Sequence, residues 1–155
     1  MDREAADPRK IQLMITVREL LKNKPEGVVT TGPRASVFEA LGLMAQHRIG
    51  ALPVVANGEL VGILSERDYA RGVALAGRTS KDTTVAELMT DVVVVELDST
   101  IEHCMTLMTD KRARHLPVVE DGELIGIVTI GDVVKQIIDH QAHLIDELSG
   151  YIRGK

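Results

Sequence analysis

The chain has 155 residues, 45% of them hydrophobic, and a formal charge of −5 at neutral pH. That length suits one compact domain or two very small ones sharing a core, and the apolar share excludes a disordered chain. The negative balance offers nothing to a nucleic-acid backbone, and the aromatic residues, Phe38, Tyr69 and Tyr151, are too few for a base-stacking platform.

The N-terminus, Met-Asp-Arg-Glu, lacks an apolar signal core, and no apolar run approaches the ~20 residues of a membrane span. The lone Cys104 has no partner for an internal disulfide, which fits a reducing compartment. The expectation is a cytoplasmic protein with neither a nucleic-acid nor a membrane partner.

In chain order, Thr16-Val-Arg-Glu-Leu reads as the start of a helix, and Lys22–Gly27, with Pro25 and Gly27, reads as a loop. Val28–Thr30 is a short β-branched run that predicts a strand. Ser36 stands where an N-cap belongs, and Val37, Leu41, Met44 and Ala45 follow at helical spacing. Leu52–Val55 and Leu60–Leu64 predict two strands joined by Asn57-Gly58, a type I′ hairpin dipeptide, and a helix begins at Ser65. The same series then returns. Thr84-Val-Ala-Glu-Leu is followed by a strand at Val92–Val95, an N-cap at Thr100 and apolar Ile101, Cys104, Met105 and Met108. Strands at Leu116–Val119 and Leu124–Val128 flank Asp121-Gly122, and a helix begins at Thr129.

The recurrence is a true internal repeat. LPVVANGELVGILSERD from Leu52 and LPVVEDGELIGIVTIGD from Leu116 are offset by a constant register that also pairs Val29 with Val93, Val37 with Ile101, Met44 with Met108 and Arg48 with Arg112. Only the two lead-ins break register, by an insertion within Lys22–Gly27. The fold class is therefore α/β (α+β), two tandem β-α-β-β-α units with helical lead-ins. The boundaries are a tail at 1–11, repeat 1 at 12–79, repeat 2 at 80–138 and a helical tail at 139–155. From Asp132 to Ile152 an amphipathic stripe runs through Val134, Ile137, Ile138, Leu144, Ile145, Leu148 and Ile152. It suits packing on its own domain or a partner helix equally.

The junctions GILSERD and GIVTIGD carry the functional signal. A helix N-terminus presents unpaired N–H groups and attracts phosphate, and the hydroxyl of Ser65 or Thr129 adds a donor. A carboxylate one turn on, Asp68 or Asp132, repels phosphate but accepts from a neutral diol. Hydroxyl plus aspartate thus fits a nucleoside phosphate lying across the junction. Either copy alone is equally a capping box, which needs no ligand; two copies at the same place favour a ligand.

Gly-hydrophobic-x-Ser/Thr-x-x-Asp after hydrophobic-Pro-Val-Val and a glycine-turn hairpin resembles the CBS domain, twice over, across about residues 12–138. The resemblance implies a tandem pair (a Bateman module) with pseudo-twofold symmetry and two clefts for AMP, ADP or ATP, with NAD or S-adenosylmethionine as further ligands. It implies Ser/Thr on phosphate, Asp on ribose, and the base among aliphatic residues drawn from the other repeat. One implied cleft holds Ile127, Thr129 and Asp132 with Val29, Thr30, Ile49, Gly50 and Ala51. The other holds Ile63, Ser65 and Asp68 with Val93, Val94, Ala113, Arg114 and His115. Pro53 and Pro117 are further ligand-binding candidates. Arg114 can pair with phosphate where Gly50 only leaves room, so the clefts should differ. Arg67 is a further phosphate candidate.

Cys104 falls on the apolar stripe of its helix and is expected to be structural. His140 and His143 lie three apart but have no acidic or cysteine partner at fixed spacing, so no metal is expected. The resemblance extends to inserts of inosine-monophosphate dehydrogenase and cystathionine β-synthase, whose catalytic domains this chain lacks, and no nucleophile–base pair appears. The expected protein is not an enzyme but a homodimeric regulatory sensor of an adenine nucleotide, signalling to an unidentified regulated protein. The alternative is a ligand-free interaction protein.

Overall fold

The structure, a computed structural model, describes residues 15–24 and 27–152. Its elements in order are α1 (Val17–Leu21), α2 (Val37–His47), β1 (Ala51–Ala56), β2 (Glu59–Ser65), α3 (Glu66–Tyr69) with a π turn over Ala70–Ala74, and α4 (Val85–Leu88). Then follow α5 (Ile101–Asp110), β3 (His115–Glu120), β4 (Glu123–Thr129) and α6 (Ile130–Ile152). This is the doubled mixed helix–strand unit read from the sequence.

The local signals act as their chemistry dictates. Ser36 Oγ accepts the Glu39 N–H at 3.0 Å and Thr100 Oγ1 accepts the His103 N–H at 3.1 Å, each satisfying an orphan donor of a long helix. Asn57 and Asp121 take φ of 52° and 51°, each followed by a glycine at 79°, the paired left-handed conformation of a type I′ turn. β1–β2 and β3–β4 are each an antiparallel two-stranded sheet.

The expected strands at Val28–Thr30 and Val92–Val95 do not form as ladders. In their place stands a single parallel bridge each: Thr31, one residue past the first run, to Val54, and Val95 to Val118. Thr31 N–H donates to the Pro53 carbonyl at 3.0 Å, and Val95 N–H to the Pro117 carbonyl at 3.0 Å. The next donor toward the N-terminus of each parallel ladder would be the nitrogen of Pro53 or Pro117, which carries no hydrogen, so pairing stops.

The chain divides into two compact units that do not coincide with the repeats. Among the described residues, one comprises 15–24, 95–118 and 127–152; the other comprises 27–94 and 119–126. Each lead-in helix therefore lies in the unit of the other repeat's long helix. In the first unit Val17 N–H donates to Ser99 O at 2.8 Å and Ile101 N–H to Ile15 O at 2.8 Å. In the second, Val37 N–H donates to Thr83 O and Val85 N–H to Ala35 O, both at 2.8 Å. The second unit's core is Ala40, Met44, Leu52, Val54, Leu64 and Val85. The first buries Val17, Val95, Ile101, Cys104, Leu116, Val118 and Val128.

The helices after the two junctions diverge. In repeat 1 a four-residue α3 widens into i→i−5 bonds, Leu75 N–H to Ala70 O and Arg78 N–H to Val73 O. A side chain at Gly72 would strike Leu88, so the glycine admits α4 closely, and Gly77 at φ 73° ends the stretch. Repeat 2 has no glycine between Gly131 and Gly150, and α6 runs unbroken for 23 residues through position 138. On α6 Val134, Ile138, Ile145 and Leu148 are exposed in the single chain.

Cys104 lies buried on the inner face of α5, and desolvation pushes its thiol up to about 11. At about pH 8 the thiolate fraction is then roughly 200-fold below that of a free cysteine with a pKa of ~8.5. Alkylation by iodoacetamide is expected to be slower by at least that factor in the native protein than in urea; equal rates would show that α5 does not bury the thiol.

Candidate functional site

Both junctions are built by a hairpin strand that hands its last residue to a helix. At the first, Ser65 N–H donates to Asp68 Oδ2 at 2.9 Å, Asp68 N–H donates to Ser65 Oγ at 3.2 Å, and the Ser65 hydroxyl donates to Asp68 Oδ2 at 2.9 Å. At the second, Thr129 N–H donates to Asp132 Oδ2 at 2.9 Å and Asp132 N–H to Thr129 Oγ1 at 3.1 Å. Both are reciprocal capping boxes. All of these carboxylate bonds fall on Oδ2. A carboxylate has about four acceptor sites, so the cap orients each aspartate while Oδ1 stays outside it. Capping and diol recognition are compatible on one residue. The four side chains are half-buried, neither sealed nor fully solvated.

The backbone before each Pro-Val-Val strand abuts the helix start of its own repeat: Glu66 N–H donates to Gly50 O at 3.0 Å and Ile130 N–H to Arg114 O at 3.0 Å. Of the residues expected in the clefts, Val29, Thr30, Ile49, Gly50, Ala51, Pro53, Ile63, Ser65, Arg67, Asp68, Val93 and Val94 belong to one compact unit. Ala113, Arg114, His115, Pro117, Ile127, Thr129 and Asp132 belong to the other. Ala51, Pro53 and Pro117 are buried, whereas Thr30, Arg67, Val94 and Arg114 are exposed.

A residue that the sequence reading passed over joins the second junction. Lys24 Nζ donates to Asp132 Oδ2 at 2.7 Å and to the Ile127 carbonyl at 2.6 Å. Its side chain is 30% exposed and that of Asp132 24%. At the first junction the equivalent carbonyl, Ile63 O, accepts the Thr90 N–H at 2.9 Å instead, and Asp68 Oδ2 takes the Ser65 hydroxyl. Lys24 comes from Lys22–Gly27, the stretch holding the insertion that breaks the register of the repeats. That insertion was the available signal.

His143 Nε2 lies 3.0 Å from Glu147 Oε1. Among the described residues no group of three or more His, Cys, Asp and Glu side chains is placed to hold a metal ion, and no helix is long and apolar enough to cross a membrane.

A doubled hairpin-to-helix junction, each with a hydroxyl and an aspartate in a reciprocal cap, is the pattern of a CBS pair, and the CBS-domain family model matches residues 17–74 and 85–139. The chain belongs to the CBS-domain family. It is 42% identical over 125 residues, 77% of its length, to the mitochondrial CBS domain-containing protein CBSX3 of Arabidopsis thaliana, and the match spans 61% of that protein. Among solved structures it resembles the CBS domain NE2398, at 50% identity, TM-score 0.75, covering 79% of this chain and 97% of that one. It also resembles the CBS domain pair of MJ0100 in complex with 5′-methylthioadenosine and S-adenosyl-L-methionine, at 29% identity, TM-score 0.69, covering 80% and 96%.

Proposed function

We propose that the chain is a non-catalytic regulatory module that binds an adenine nucleotide at its junctions and transmits occupancy to a partner protein. The observation that carries this reading is the duplicated cap, which leaves a carboxylate oxygen of Asp68 and of Asp132 outside the cap beside a helix N-terminus. In this reading the N-terminal N–H groups take phosphate and the aspartates take the ribose diol. Arg114 as a phosphate contact belongs to the same proposal.

S-adenosylmethionine and methylthioadenosine form the second reading, favoured by the bound ligands of the MJ0100 domain pair. Both readings share the adenosine moiety and differ in the charge at the 5′ position. A thermal-shift series with AMP, ATP, NAD and S-adenosylmethionine separates them. A ligand at ~100 times its Kd adds about 2.7 kcal/mol of stability. No shift with any of the four in a folded protein would overturn both readings and leave an interaction protein.

The module is further proposed to be a homodimer. Val134, Ile138, Ile145 and Leu148 expose an apolar stripe on α6, and Met105 is exposed on α5 in a surface depression of about 390 Å³ lined also by Glu102, Thr106, Thr109 and Asp110. A second copy is the occupant that would cover such a surface with its own equivalent. Light scattering at tens of micromolar is expected to give twice the chain mass; a monomer mass with and without nucleotide counts against it.

A further inference from the structure

We propose that Lys24 makes the Thr129–Asp132 junction selective for adenosine ligands with a negatively charged 5′ group, by exchanging its bond to Asp132 for one to that group. The inference rests on the adenosine reading above and adds to it the charge class of the ligand at one of the two junctions.

The anchors of the Lys24 ammonium are Asp132 Oδ2 at 2.7 Å and the Ile127 carbonyl at 2.6 Å. Thr129 N–H donates to the same Oδ2 at 2.9 Å, so the ammonium sits within a few ångströms of the helix start. A ribose diol would bind Oδ1, the oxygen that the cap and Lys24 leave open, and so draw on the one carboxylate charge that Lys24 pairs with through Oδ2. An ammonium whose counter-ion is weakened in a half-buried position is destabilised unless another anion arrives. A 5′-phosphate is such an anion, and the helix N-terminus already favours it there. Uncharged adenosine offers no replacement. A sulfonium ligand brings a second cation beside the first, which the same field repels. The order of affinity at this junction is therefore anionic, then neutral, then cationic.

The first junction supplies the internal comparison. There the backbone N–H of Thr90 takes the carbonyl and the Ser65 hydroxyl takes the carboxylate oxygen. Neither donor is charged, and neither discriminates by ligand charge as an ammonium does. Lys24 is thus an asymmetry built by an insertion in one lead-in.

The test is calorimetric titration of AMP, adenosine and S-adenosylmethionine in an Asp68→Ala background, which isolates the second junction. The same titrations follow in Lys24→Met and Lys24→Arg, each checked for an unchanged melting profile or circular dichroism spectrum. Expected is a loss of about tenfold or more for AMP in Lys24→Met, the size of one charged hydrogen bond. Adenosine should hold its affinity or tighten as Asp132 is released, and S-adenosylmethionine should tighten. Lys24→Arg should keep the preference for AMP. Equal weakening of AMP and adenosine in Lys24→Met, or an unchanged ratio of AMP to S-adenosylmethionine, overturns the role of Lys24. If Asp132→Ala abolishes AMP binding while Lys24→Met changes no ratio, the adenosine site stands and only the selectivity falls. If the folded background variant binds none of the three while the unaltered chain does, the nucleotide occupies the first junction alone and the inference fails. If the unaltered chain binds none either, the functional reading fails with it.

Discussion

Leu64→Ala is expected to lower the free energy of unfolding by ~2–5 kcal/mol, the usual range for a buried leucine truncated in a well-packed core. Leu64 is 0% exposed and packs with Ala40, Met44, Leu52, Val54 and Val85. It pairs across the hairpin with Leu52, which is also 0% exposed, so neither strand can relax outward to fill the space. Val61 on the same strand is the unpaired residue of a β-bulge, between Leu60 opposite Val55 and Gly62 opposite Val54, and is 38% exposed. Val61→Ala should therefore change stability by no more than about 0.5 kcal/mol. Urea titration of both variants checks the pair, with the midpoint moving and the slope unchanged for Leu64→Ala. Leu64 directly precedes Ser65, so the same substitution should also reduce nucleotide affinity by loosening the cap. A loss below ~1 kcal/mol would mean that this hairpin is not packed as described.

Asp132→Ala is expected to remove nucleotide binding at the second junction and to lower stability by ~1–3 kcal/mol, two effects with separable causes. The stability loss comes from the cap: Thr129 N–H loses its acceptor, worth ~1 kcal/mol for an N-terminal cap, and Lys24 loses its counter-ion. The binding loss comes from the diol acceptor. Asp132→Asn separates them, because an asparagine oxygen still accepts from Thr129 N–H while the charge is gone. The asparagine variant should recover most of the stability and, with an NH2 donor where the carboxylate offered its second oxygen to the diol, should keep only part of the nucleotide affinity. Thermal unfolding and calorimetry on the two variants decide it. If alanine and asparagine are equally destabilised, the capping bond contributes little; if alanine binds AMP at full affinity, Asp132 is not a ligand residue.

Much of this molecule is legible along the chain because its determinants are short-range. The reciprocal caps at Ser65–Asp68 and Thr129–Asp132 join residues three apart, and the hairpins turn on adjacent dipeptides whose positive φ is a property of Asn57-Gly58 and Asp121-Gly122 themselves. The N-caps Ser36 and Thr100 are local in the same sense. The repeat multiplies each signal by two, and hence the family and both junctions follow from the sequence alone. What the tertiary structure decided is long-range. Thr16 bridges to Thr100 and Lys24 reaches Asp132 across far stretches of chain, and no periodicity or spacing announces a contact of that separation. The exchange of lead-in helices between the units, the admission of Leu88 over Gly72, and the ammonium at one junction but not the other all arise from which surfaces meet once the chain is compact. The two shortened strands lie between these cases. Pro53 and Pro117 are plain in the sequence, but that their missing N–H groups would face Val29 and Val93 depends on a parallel register set only by folding.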